Sequence, residues 1–144
     1  MHSSIRQNGF GYLEILVAVV VAAILASVAI PSYMTAVRKN NRTDAFSALA
    51  KIASGQELFY NNQAAPRSYT DDFGDLGMDN VSAGGHYDLS VAACAGNTLA
   101  QCYVATATAR SGSSQYKDKG CTSLTLDNRG RKGSSPASDG CWRK

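Results

Sequence analysis

The residues of this 144-residue chain that could carry chemistry are four cysteines, a group of aspartates, the histidine His86 and one glutamate in an apolar run. Cys94, Cys102, Cys121 and Cys141 all follow that run. No two of them are spaced C-x-x-C, and no histidine accompanies them at ligand spacing, so a zinc site is not indicated. An even count points instead to disulfides formed in an oxidising compartment. Three pairings are open. The sequential one, Cys94 with Cys102 and Cys121 with Cys141, is preferred because both loops are then local. Chain entropy would give such loops about 2.6 and 3.3 kcal/mol. Asp71, Asp72, Asp75 and Asp79 are clustered hard-oxygen donors, the type that calcium takes. Their spacing does not match an EF-hand loop, so a solvated acidic loop is the reading. His86 has no serine or cysteine nucleophile placed with it and reads as a strand-edge residue. No constellation supports an enzyme, and neither a metal nor a cofactor is expected.

Glu14 is the anomaly. It stands at the start of a run in which nothing from Ile15 to Ile30 is charged and only Ser27 is polar. Extended back to Phe10, the run has the length of a bilayer-spanning helix, roughly 20 residues. A carboxylate at the centre of such a helix costs about 2.5–3.5 kcal/mol, and less near an end. A partner must compensate that cost.

The elements around these residues follow from composition and period. After the apolar run about 110 residues remain, enough for one small core. The net charge of +3 is modest and is not the dense basic patch of a dedicated nucleic-acid binder. Pro31 falls where the apolar run meets polar sequence, so a gentle kink is expected rather than an end. From Ser32 to Asn62 the pattern is amphipathic. Val37, Ala45, Leu49, Ile52, Ala53 and Phe59 form the apolar face. Arg38, Lys39, Arg42, Asp44, Lys51 and Glu57 take the other. The helix predicted over 10–62 would be roughly 80 Å long. Ala64-Ala65-Pro66-Arg67 stops it, and glycines then punctuate a loop in which Tyr69, Phe73, Leu76 and Met78 turn to the core. His86–Cys94 and Cys102–Arg110 alternate as a hairpin around Ala95-Gly96-Asn97. Ser111–Gly120 reads as a polar loop and Cys121–Asp127 as a third strand. Asn128–Arg131 reads as a turn and Gly133–Gly140 as a Ser/Gly-rich loop.

The N-terminal residues resemble those of the type IV pilins. The residues that carry this are Gly9-Phe10, Glu14 as the fifth residue counted from Phe10, and the close Ala29-Ile30-Pro31-Ser32-Tyr33. Between Phe10 and Glu14 the chain has Gly11, Tyr12 and Leu13, where the family commonly has threonine, leucine and isoleucine. Ala23 stands where the family often has glycine. The resemblance implies an α+β fold, with a long N-terminal helix on a small antiparallel sheet and a disulfide-bounded C-terminal loop. It implies a leader, 1–9, removed by a prepilin peptidase that cuts after Gly9 and methylates the new amine of Phe10. Residues 10–31 would be the membrane and filament-core half of the helix, 32–62 the amphipathic half, and 63–144 the loop, sheet and C-terminal disulfide loop. Glu14 would then meet an N-terminal amine, its own or a neighbour's, one helical turn away. The neighbour's amine would set axial register in a filament.

Further along, Asn41-Arg42-Thr43, Leu76-Gly77-Met78, Lys119-Gly120-Cys121 and Asp139-Gly140-Cys141-Trp142-Arg143 resemble PilE-type pilins, several of which are minor components. The implied function is a structural subunit of a type IV pilus, serving adhesion, twitching motility or DNA uptake. Its partners would be other pilin subunits. The implied location is the inner membrane, crossed once with the C-terminal part periplasmic, and then the extracellular pilus. Two alternatives share the N-terminus: a type II secretion pseudopilin and a DNA-binding uptake pilin. For the latter, and for contact with other surfaces, the C-terminal loop offers Arg129, Arg131, Lys132, Arg143 and Lys144. The cluster Arg38-Lys39-Arg42 reads either as a topology signal or as a subunit contact. The positive-inside rule would place it in the cytoplasm, whereas a disulfide-bearing domain belongs outside.

Overall fold

A computed structural model of the chain describes residues 11–143. Two compact units divide it, Met1–Ala36 and Val37–Lys144. One α-helix, α1 (Tyr12–Asn62), contributes to both, and four strands follow: β1 (Tyr87–Ala93), β2 (Tyr103–Ala109), β3 (Ser123–Asp127) and β4 (Lys132–Ser135).

In the first unit, the Gly11 carbonyl accepts from the Glu14 amide at 2.9 Å and from the Ile15 amide at 3.3 Å. Hydroxyls return to the backbone one turn earlier, Ser27 Oγ to the Ile24 carbonyl and Thr35 Oγ1 to the Pro31 carbonyl. The helix continues through Pro31. Every side chain from Gly11 to Tyr33 is exposed.

In the second unit, the sheet is antiparallel throughout in the order β1-β2-β3-β4. Alternation places Tyr87, Leu89 and Val91 of β1 and Tyr103, Ala105, Ala107 and Ala109 of β2 on the buried face, with Leu124 of β3. These join Ala45, Ala48, Leu49 and Ile52 of α1 in one core, against which Tyr69, Phe73, Leu76 and Met78 are packed. The loop before the sheet is tied down by backbone bonds. Gln56 is buried in α1; its Nε2 donates to the Thr70 carbonyl and its Oε1 accepts from the Thr70 amide. The outer edge of β1 is partly covered, because Leu89 N donates to Asn80 O and Ser82 N to Tyr87 O.

Two expectations are corrected. The stretch read as a Ser/Gly loop begins with a strand. Its sequence, Lys-Gly-Ser-Ser, has little β-propensity, and pairing with β3 supplies the order, from Leu126↔Lys132 to Ser123↔Ser135. Gly133 is required there, since a Cβ would stand 2.5 Å from Thr125 Oγ1. The second correction concerns Arg42, assigned to the polar face of the helix: it is buried. The buried positions run 42, 45, 48, 49, 52 and 56, a helical stripe that includes a charge.

Candidate functional site

Two surfaces could do work, one in each unit. The first is the apolar stretch of α1. Leu13, Ile15, Val19, Val20, Ile24, Leu25, Val28 and Ile30 are all exposed. The helix is long and apolar enough to cross a membrane, and none of its most apolar window is covered. A patch this large needs a lipid or protein partner. Glu14 lies at its start and is its acidic residue. Gly9 and Phe10 lie outside the described residues.

The second surface belongs to the C-terminal loops, which three devices hold. Disulfides join Cys94 to Cys102 and Cys121 to Cys141. Arg42 then reaches from α1 into the loops. Its Nε donates to Asp118 Oδ2 at 2.8 Å, its Nη2 to Asp118 Oδ1 at 3.0 Å, and its Nη1 to the Gly140 carbonyl at 3.2 Å. Gln115, fully buried, donates from Nε2 to Asp118 Oδ2 at 2.8 Å. Burial first, and then the Asp118 charge, push the Tyr87 hydroxyl pKa far up. Burial, and then the Glu57 charge, push that of Tyr103 up to about 12.

The third device is Trp142. Its ring stacks on Phe46 of α1 with centroids 4.9 Å apart, and its Nε1 donates to the Gly133 carbonyl at 2.8 Å. Lys132 Nζ lies 5.1 Å from the same ring. Trp142 is thereby fixed both to the helix and to β4.

The turn between β3 and β4 is built on Asp127. Its Oδ1 accepts from the Arg129 and Arg131 amides, and its Oδ2 accepts from Arg131 Nε at 2.6 Å. Burial raises the Asp127 pKa, but the hydrogen bonds from Arg131 and Arg129 outweigh it and hold the carboxyl below its usual value. The five basic residues expected to form one surface are therefore divided. Arg129 and Arg131 line a cleft with Asn97 and Gln101 beside the Cys94–Cys102 bridge. Lys132 turns toward Trp142, which Arg143 follows in sequence. Lys144 lies outside the described residues. Arg131 is exposed too but is partly neutralised by Asp127, which leaves Arg129 and Lys132 as the exposed cations of the turn with no ion-pair partner among the described residues.

The aspartates of the preceding loop serve that loop. Asp72 Oδ1 accepts from the Gly74 amide, and Asp75 Oδ2 accepts from the Thr70 hydroxyl. His86 uses its backbone carbonyl to accept from Arg110 N and Ser113 Oγ. Three positions with structural work were missed by the sequence reading: Arg42, Asp127 and Trp142. Only Arg42 had a signal, its place in the helical stripe.

Residues 31–125 match the family described as type IV minor pilin ComP, DNA uptake sequence receptor, which is more than half of the chain. The matched span omits Gly9, Phe10, Glu14 and Cys141. Among curated proteins, none matches. A long N-terminal helix with an uncovered apolar stretch, a four-stranded antiparallel sheet and two disulfides agree with that match. The chain belongs to the type IV minor pilins and is a structural subunit of a type IV pilus, not an enzyme.

Proposed function

We propose that this pilin is held by its apolar helix in the inner membrane, cut after Gly9 by a prepilin peptidase, methylated at Phe10 and then drawn into the filament. The uncovered apolar stretch of α1 carries this reading. In lipid the stretch is satisfied except at Glu14, whose charge finds no partner in hydrocarbon. In a bundle of like helices, apolar surface passes from lipid to protein and Glu14 can take the amine of a neighbouring Phe10. The domain division that follows is a leader 1–9, a membrane and core segment 10–31, an amphipathic segment 32–62 and a displayed part 63–144, with that last part periplasmic before assembly. Mass spectrometry of the mature protein tests the processing. A mass that begins at Phe10 with one added methyl group supports it, and an unprocessed mass refutes it.

Within the pilus, we propose a role in DNA uptake. The observation that favours this over adhesion or motility is the match to a family described as a DNA uptake sequence receptor. The residues offered for phosphate contact are Arg129 and Lys132 on the Asp127 turn, with Arg143, which follows Trp142 in sequence. Arg131 holds the turn rather than contacting DNA. A cation that contacts phosphate lowers affinity when removed and reduces the salt slope by about 0.9 for duplex DNA. Arg129→Ser and Lys132→Ser should each do so. A salt slope unchanged in both variants would defeat the assignment of these residues.

A further inference from the structure

Apart from the Arg42–Asp118 pair, Gln115 and the Cys121 bridge, the helix cluster Arg38-Lys39-Arg42 and the loop between β2 and β3 have no part in the surfaces described above. The ion pair brings them together. Asn41 Nδ2 donates to Ser114 Oγ at 3.4 Å, and Arg42 holds Asp118. The loop's exposed basic residues are therefore seated beside one turn of α1. Asp118 is the only acid between Ser111 and Gly120, and Lys117 and Lys119 flank it. With its carboxylate consumed by Arg42, the two lysines stay exposed with no opposing charge in the loop. Lys119 Nζ lies 4.2 Å from the centre of the Tyr116 ring, which is itself half exposed. On the helix, Lys39 is exposed, and Arg38 lies one turn before Arg42 with its Nε buried and without a hydrogen-bond partner among the described residues. None of these four cations is in an ion pair among the described residues. Asp139, next to Gly140, borders the patch as an exposed carboxylate.

We propose that Arg38, Lys39, Tyr116, Lys117 and Lys119 form a cradle for the headgroups of anionic phospholipids, which seats the globular unit on the membrane before assembly. The place in the chain argues for lipid. Arg38 is eight residues beyond Ile30, where the apolar run ends, and is the first charge after Glu14. A juxtamembrane group of cations is drawn to anionic headgroups. Tyrosine and lysine together suit the membrane interface, with an apolar body below and a polar tip in water. The basic turn offered to DNA lies elsewhere. It follows the last residue of β3, whereas the cradle loop precedes the first, so the two are at opposite ends of the sheet. This also accounts for cations on the side where topology rules do not expect them. Arg42 is internal, and the remaining charges serve a surface rather than orientation.

The cradle rests on the membrane-held state proposed above, and the test separates the two. The full chain is reconstituted in bilayers of phosphatidylcholine alone or mixed with phosphatidylglycerol, each with a headgroup spin label. Flotation with both bilayers reports the anchor. Broadening of the amide signals of residues 114–119 by the label reports the cradle. The expected result is flotation with both, and broadening strong only in the anionic bilayer and reversed by salt. Lys117→Gln with Lys119→Gln should lower the seated fraction by roughly fivefold per charge. Loss of flotation would sink the anchor. Flotation with equal broadening in both bilayers, or none, would overturn the cradle. So would a double variant that keeps its lipid contact but loses binding to DNA or to an acidic subunit.

Discussion

Arg42 and Asp118 meet in a two-pronged ion pair, Nε to Oδ2 at 2.8 Å and Nη2 to Oδ1 at 3.0 Å, with both side chains nearly excluded from water. The pair spans 76 residues of sequence and ties α1 to the loop before β3. Removing one member leaves the other charge buried and alone, which costs about 3–5 kcal/mol. Arg42→Ala should therefore lower the unfolding midpoint of the full chain in detergent sharply. Replacing both by apolar residues of similar volume, Arg42→Met with Asp118→Leu, should recover part of the loss, because no charge is then stranded, although the buried Gln115 amide loses its acceptor. A double variant as unstable as the single one would show that the pair is more than an internal tie.

That contact also marks where the sequence is legible. Alternation in Tyr87–Val91 and Tyr103–Ala109 identifies the buried face of β1 and β2, because one face of an antiparallel sheet is buried and the other is not. The end of α1 is legible from Ala64 to Arg67. Arg42 is not, because a charge among Arg38, Lys39 and Arg42 reads as surface, and only a partner 76 residues away reverses that. The split of the basic C-terminal residues is likewise invisible in composition. It is decided by Asp127, which holds Arg131, and by Trp142, which takes Lys132.

β4 depends on a close approach between Gly133 and Thr125. A methyl group at 133 would lie 2.5 Å from Thr125 Oγ1. Overpacking of this kind costs roughly 1–3 kcal/mol when the neighbour cannot move. Gly133→Ala should destabilise the protein by about that amount, while Thr125→Ala alone should be milder. Combined, they should be less harmful than their sum, a coupling that a double-mutant cycle of denaturation midpoints measures. Strict additivity would place the clash elsewhere.

The turn at Asp127 should loosen in acid. Its carboxyl titrates lower in the folded chain than in the unfolded one, held by the Arg131 and Arg129 hydrogen bonds against burial. A depressed carboxyl contributes stability above its unfolded value near pH 4, and the contribution is lost as pH falls through the folded value. Amide exchange at Arg129 and Arg131 should therefore rise, relative to neighbouring strands, once pH drops below about 4. Asp127→Asn should abolish this local pH dependence. An identical acid response in that variant would assign it to another group.

At the alkaline end the sign is reversed. Tyr103 is pushed up to about 12 by burial and by the Glu57 charge, and Tyr87 is pushed higher still by burial and Asp118. A raised tyrosine favours the folded state while neutral. Its contribution is whole below the unfolded value near pH 10 and declines as pH climbs toward the folded value. The folded protein should keep these two hydroxyls neutral past that point, and stability should fall with rising pH. Tyr103→Phe should flatten the decline. A decline unaltered by that variant would rule out Tyr103 as its source.

In the proposed function, assembly turns on Glu14. On that proposal the carboxylate is used where apolar helices pack together, and it is a burden where lipid surrounds it. Glu14→Ala therefore separates storage from assembly. Without the carboxylate the helix is more apolar, so membrane insertion should be undiminished and cleavage after Gly9 should proceed. Incorporation into filaments should fall, because a helix with no carboxylate has no axial partner for the amine of the next Phe10. Gly9→Ser gives the complementary result: the leader stays on, the Phe10 amine is never freed, and incorporation fails even though Glu14 is present. The comparison is made on sheared filaments and on membranes from the same cells, probed for the subunit and its mass. Normal incorporation of Glu14→Ala would remove Glu14 from register-setting, and a mature mass in Gly9→Ser would move the cleavage site. If both variants behave as expected, the carboxylate and the freed amine act as one device, since the loss of either leaves the other without its partner.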